Sequence, residues 1–131
     1  MSILFLIAEF APVNTSGNFR SLKFVKYLPA TGINPVVITL PVEEAAKRFN
    51  AKIDYDLLKD IPESVAIYRI KTNFKYGIER SKLGNFTRIF FKIVDEIGKE
   101  WEENLLSSIE EIINKHKIEA VFTSLPPFSM G

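Results

Sequence analysis

The chain has 131 residues, 47% of them hydrophobic and 25% charged. That suits one folded domain with a real core and excludes both a disordered chain and a two-domain one. Seventeen basic residues against sixteen acidic ones give a net charge of +1, which argues against a dedicated nucleic-acid binder. The absence of cysteine excludes a disulfide framework, a thiolate metal site and a cysteine nucleophile, and the single histidine, His116, excludes a multi-histidine metal site.

Residues 3–8 (ILFLIA) form a continuous apolar run, as expected of a central parallel strand covered on both faces. The run is too short for a signal-peptide core, and no basic residue precedes it. No stretch reaches the ~18 apolar residues that a membrane span needs. A cytoplasmic protein is the expectation. Residues 9–17 read as loop, with Pro12 and a turn cluster at Asn14, Thr15, Ser16 and Gly17. From Asn18 onward Phe19, Leu22, Phe24, Val25 and Leu28 recur at helical spacing, and Pro29 and Gly32 close that helix.

Residues 35–40 (PVVITL) predict a second buried strand, residues 43–48 a short helix and residues 54–60 another. Residues 65–70 (VAIYRI) predict a third strand. A loop is expected over 71–85. Phe86, Phe90, Ile93, Ile97, Trp101, Leu105, Ile109, Ile112 and Ile113 then form one apolar stripe, a helix of about thirty residues that Gly98 could bend. Residues 118–124 (IEAVFTS) predict a fourth strand.

Strands alternating with helices imply parallel pairing with right-handed crossovers. The expected fold is α/β and Rossmann-like: three layers, helices on both faces, and a parallel sheet in the order 3-2-1-4. Winding then reverses between the first and fourth strands. A crevice forms at their carboxyl ends, walled by residues 9–17 and 124–131.

The first wall carries one glycine, Gly17, where a dinucleotide fingerprint needs three, and no P-loop lysine follows. Gly17 could admit a phosphate to the amides of Asn18 and Phe19, with Arg20 one turn on. Equally, it serves as a turn glycine and Thr15 or Ser16 as a helix cap. Glu9 ends the first strand, where it could orient a sugar hydroxyl. Asn14, Thr15 and Ser16 suit polyol recognition as well as turns. Glu43 stands where some dinucleotide folds place a ribose-binding acid, although its neighbour Glu44 favours a helix-dipole role. His116 falls at the far end of the sheet from the crevice. In the second wall Pro126 and Pro127 form a stiff turn, and Ser129 is a natural N-cap for a helix to come. The chain therefore reads as a truncated domain whose fourth strand is an exposed edge, open to self-association. Residues 71–92 interleave Lys71, Lys75, Arg80, Lys82, Arg88 and Lys92 with aromatic residues. That reads as a solvated loop with core aromatics, or as a surface for anionic lipid at the inner membrane face.

Residues 3–40 resemble the opening of family 4 glycosyltransferases of the two-domain GT-B fold. The matching positions are Glu9, Phe10, Pro12, Gly17, Arg20, Tyr27, Leu28, Gly32 and the run Val36, Val37, Ile38 and Thr39. The ending SLPPFS, residues 124–129, resembles their loop after the fourth strand. The resemblance covers the first forty and last dozen residues. It implies an N-terminal, acceptor-side domain, incomplete over residues 1–131, with the donor-binding C-terminal domain absent. The implied parent enzyme is a retaining hexosyltransferase of polysaccharide biosynthesis. It would move a sugar from a nucleotide-sugar, a co-substrate, to a glycan or lipid-linked acceptor, with no metal or other cofactor. By the same resemblance Gly17, Asn18 and Arg20 would lie near the donor diphosphate. Glu9, Asn14, Thr15, Ser16, Pro126, Pro127 and Ser129 would line the cleft, the resemblance assigns no catalytic residue within the chain, and the fragment alone would be inactive. The competing expectation is a stand-alone nucleotide- or phosphosugar-binding module without catalysis.

Overall fold

A computed structural model describes residues 1–72 and 96–124. It is a mixed α/β protein built on a four-stranded parallel sheet. The strands are β1 (Ser2–Leu6), β3 (Asn34–Thr39), β5 (Ala66–Arg69) and β6 (Ile118–Thr123). Two further strands, β2 (Val13–Asn14) and β4 (Lys52–Ile53), form a separate antiparallel ribbon. The main sheet runs β5-β3-β1-β6. This numbering departs from the expected 3-2-1-4 because the two ribbon strands, unforeseen in the sequence, enter the chain order without joining the main sheet. The arrangement is consistent with a Rossmann-like fold.

The apolar runs are continuous because both faces of the sheet are covered. Successive strand residues point to opposite faces, and each face has its own core. Leu4, Leu6, Val36, Ile38 and Leu40 pack with Ala45 of helix α2 (Val42–Arg48) and with Trp101, Leu105 and Ile112 of helix α3 (Glu96–His116). On the other face Phe5, Ile7 and Val37 pack with Leu22 and Val25 of helix α1 (Asn18–Tyr27). Strand register aligns these layers: Phe5 stands beside Val37 on β3 and beside Phe122 on β6. The Phe5 and Phe122 rings lie 4.9 Å apart, and Phe24 meets Phe122 edge-on at 5.6 Å.

Helix α1 corrects the stripe read from its apolar residues. Its buried face is Asn18, Ser21, Leu22 and Val25, at offsets 0, 3, 4 and 7, whereas Phe19 and Phe24 are exposed. Two small polar residues therefore face the sheet where the sequence suggested phenylalanines. The helix ends as expected. Pro29 lies in a 3-10 segment, Leu28–Thr31, and Gly32 follows at φ +84°, the left-handed conformation that glycine adopts without a Cβ penalty.

The helical piece after residue 54 is likewise a 3-10 segment, Tyr55–Asp60. Asp54 caps it by accepting a bond from the Asp56 amide. Helix α3 runs through Gly98 without a break and closes with Lys115 and His116 in its last turn, where basic groups complement the helix dipole. The stripe positions Phe86, Phe90 and Ile93 lie outside the described residues. So do the loop and the basic surface expected over 71–92, from residue 73 onward.

Candidate functional site

The loop over residues 9–17 leaves the carboxyl end of β1, which lies between β3 and β6. The reversal of winding falls here, as the crevice argument requires. Its first half is buried: Phe10, Ala11 and Val13 are fully enclosed. A buried backbone must find hydrogen-bond partners, and five carbonyls from Ala8 to Val13 find theirs in different places. Ala8 O accepts from Thr39 Oγ1 at 3.3 Å and Phe10 O from the Val13 amide at 3.2 Å. Ala11 O accepts from Arg69 Nη2 at 2.7 Å, Pro12 O from the Asp54 amide at 2.7 Å, and Val13 O from Asn18 Nδ2 at 2.9 Å. The Ala11–Pro12 bond is cis. The chain here is thus hung by its carbonyls from β3, β5, α1 and Asp54, the residue after β4.

At its outer end the loop brings together Glu9, Thr15 and Gly17. Thr15 Oγ1 donates to Glu9 Oε2 at 2.6 Å. The Glu9 carboxylate lies so close over Gly17 that a Cβ there would stand 2.8 Å from Oε2 and 3.6 Å from Oε1. Gly17 is also the residue preceding α1, at an ordinary helical φ of −69°. Its glycine identity is therefore a matter of space for the carboxylate rather than of backbone conformation. No side chain caps α1. The hydroxyl of Thr15, expected as a cap, serves Glu9 instead.

The remaining predicted residues divide. Asn14 and Ser16 are exposed beside the loop. Asn18 is fully buried, and its amide donates to Thr15 O at 3.3 Å. The amide expected to face a phosphate is thus used within the loop. Arg20 is exposed and lines a groove of about 450 Å³ on the outer side of α1 with Lys23, Phe24 and Tyr27. Pro126, Pro127 and Ser129 lie outside the described residues. Glu43 is exposed, while Glu44 accepts from the Thr72 amide at 3.3 Å and from the Thr72 hydroxyl, tying α2 to the residues after β5. His116 Nε2 meets the Tyr68 hydroxyl at 2.7 Å, a contact between α3 and β5 that belongs to the scaffold.

Arg69 escaped the sequence reading. Its guanidinium donates to Leu40 O at 3.1 Å as well as to Ala11 O, bridging the end of β3 and the loop. Burial lowers its pKa from the usual arginine value, opposed by the charge of Tyr55. The available signal was an arginine inside the otherwise apolar strand VAIYRI.

Among the described residues no cluster of three or more His, Cys, Asp or Glu side chains could hold a metal ion. No described helix is long and apolar enough to cross a membrane. Comparison of the chain with family models, curated proteins and solved structures finds no match.

Proposed function

We propose that this chain is the acceptor-side, N-terminal domain of a retaining GT-B glycosyltransferase of family 4. The parent would transfer a hexose from a nucleotide-sugar to a glycan or lipid-linked acceptor in polysaccharide biosynthesis, with a second domain holding the donor. The observation that carries the reading is the Glu9–Thr15–Gly17 arrangement. Three of the residues in and around the family-like motif meet at the carboxyl end of the central strand, on a loop whose carbonyls are tied to four parts of the fold.

Chemically, Glu9 offers a carboxylate with Oε2 engaged by Thr15 and Oε1 without a hydrogen bond among the described residues. An ionised carboxylate is an acceptor only, so Oε1 suits a sugar hydroxyl. Asn14 and Ser16, exposed beside it, add short polar groups. The carboxylate over Gly17 repels a phosphate placed directly against that residue. A donor diphosphate would then approach from across the cleft, toward the exposed side of Gly17 and Arg20. Contact of residues 71–92 with anionic lipid belongs to the same proposal, as does a location at the inner membrane face.

Titration of the isotopically labelled chain with neutral oligosaccharides tests the reading. Acceptor-side binding predicts amide shifts centred on Glu9, Thr15 and Gly17 that are lost in Glu9→Gln. A response to nucleotide alone, with none to glycans, would favour a stand-alone nucleotide-binding module. Silence toward both classes sinks the proposal.

A further inference from the structure

Arg69 ends β5 on the α1 side of the sheet. Tyr68 and Ile70 pack into the core beneath α2 and α3, and Ile67 into the core beneath α1, so strand alternation places Arg69 with Ile67. A guanidinium carries five N–H donors in a fixed fork. Here one goes to Leu40 O and one to Ala11 O, and the others have no protein acceptor among the described residues. Lys26 pairs with Asp60 and Lys59 with Asp56, whereas Arg69 forms no ion pair among the described residues. Among the described residues Tyr55, itself largely exposed, is the ionisable side chain that influences its titration.

A cation drawn half out of water is costly unless an opposite charge meets it. Two carbonyls supply only partial negative charge. They do, however, lock the plane of the fork, and a locked fork with spare donors is the geometry that recognises a phosphate through paired hydrogen bonds. The place also fits. Leu40 O lies just past the end of β3 and Ala11 O lies in the loop after β1, the carboxyl edge at which open α/β sheets receive ligands.

We propose that Arg69 is the cation of a phosphate-binding subsite at the carboxyl end of β3 and β5, between the 9–17 loop and Tyr55. The subsite stands on the bonds of Arg69 and does not depend on the sugar-transfer reading. A chain that transfers no sugar could still carry it.

The test uses the whole 131-residue chain, labelled at arginine nitrogen and titrated with inorganic phosphate, glucose 6-phosphate and uridine diphosphate in turn. The expected result is a saturable displacement of the Arg69 Nε–H resonance, with the Ala11 and Tyr55 amides following. Arg69→Lys keeps the charge and loses the fork, so affinity should fall about tenfold or more. Arg69→Gln should abolish the response. A tighter response to glucose 6-phosphate identifies a sugar phosphate as the ligand class, one to uridine diphosphate a nucleotide, and equal responses free phosphate. An Arg69 resonance that does not move at about 50 mM phosphate, far above a millimolar Kd, overturns the proposal. A response unchanged in the lysine variant overturns it as well, and that variant decides the matter if the glutamine variant does not fold.

Discussion

The carboxylate of Glu9 occupies the space over Gly17, where a Cβ would stand 2.8 Å from Oε2. Because Thr15 holds that oxygen, the carboxylate cannot swing aside without losing a bond. Gly17→Ala is therefore expected to expel Glu9 and to cost about 1–2 kcal/mol, near the lower end for a hydrogen bond to a charged group since the site is half-exposed. Alanine is also a slightly worse residue than glycine at the start of a helix. In a Glu9→Ala background the same substitution should cost only the smaller helix-start effect. Chemical denaturation of the four proteins in this double-mutant cycle measures the coupling, and equal costs in both backgrounds would contradict the contact.

Thr15 should behave as a partner of Glu9 rather than as a helix cap. Thr15→Val removes the donor and is expected to cost about 1 kcal/mol, while Thr15→Ser, which keeps the hydroxyl, should stay within about 0.5 kcal/mol of the parent. If Thr15→Val costs the same in a Glu9→Ala background, the hydroxyl has some other role.

Trp101 is the sole tryptophan, fully buried, with Nε1 donating to Ile70 O at 2.7 Å. Trp101→Phe leaves that carbonyl without its partner, at a cost of about 1–3 kcal/mol. Trp101→Ala opens a cavity between α3 and the sheet, and the expected loss is about 3–5 kcal/mol. Thermal or denaturant melts check both values. In the parent chain the intrinsic emission should shift to the red in a single step as the fold opens.

Lys26 Nζ and Asp60 Oδ1 pair at 3.1 Å, and the hydrogen bond to Asp60 is the main cause of a raised Lys26 pKa. A raised pKa in the fold means that the stabilisation is fully present below the unfolded value of 10.5 and is lost as pH climbs through the folded one. Asp60→Asn should bring the lysine titration back down, remove the small stabilisation that the pair gives at neutral pH, and flatten the stability profile across that alkaline window. Nitrogen resonances of the lysine side chain, followed across the alkaline range, measure this directly.

Strand β6 pairs with β1 alone among the described strands, and Val121 on it is 57% exposed. An apolar strand at a sheet edge is a template for pairing with another chain. If the edge drives self-association, as the sequence leads us to expect, sedimentation should show a concentration-dependent dimer that Val121→Lys weakens. A strictly monomeric parent at high concentration would remove the idea.

The central strands were legible from composition alone. Residues 3–8, and 35–40 apart from the hydrogen-bonded Thr39, are apolar because helices cover both faces of the sheet, so burial leaves a nearly continuous mark in the chain. The end of α1 was equally plain, since Pro29 and Gly32 act through local backbone geometry. What escaped depends on distant partners. The β2–β4 ribbon is two residues on each side and exists only because the 9–17 loop passes Lys52 and Ile53. The inward face of α1 proved to be Asn18 and Ser21 rather than Phe19 and Phe24, because the Val13 carbonyl needs a donor there and Asn18 supplies it.

The site divides in the same way. The order of strands and loops pointed to the carboxyl end of β1, and Glu9, Thr15 and Gly17 do meet there. That Gly17 makes room for a carboxylate, and that Arg69 holds Ala11 from two strands away, could not be read. Local propensity and periodicity act between near neighbours in sequence. A contact between a strand end and a helix start, or between β5 and the loop after β1, is set only when the sheet assembles and brings their backbones together.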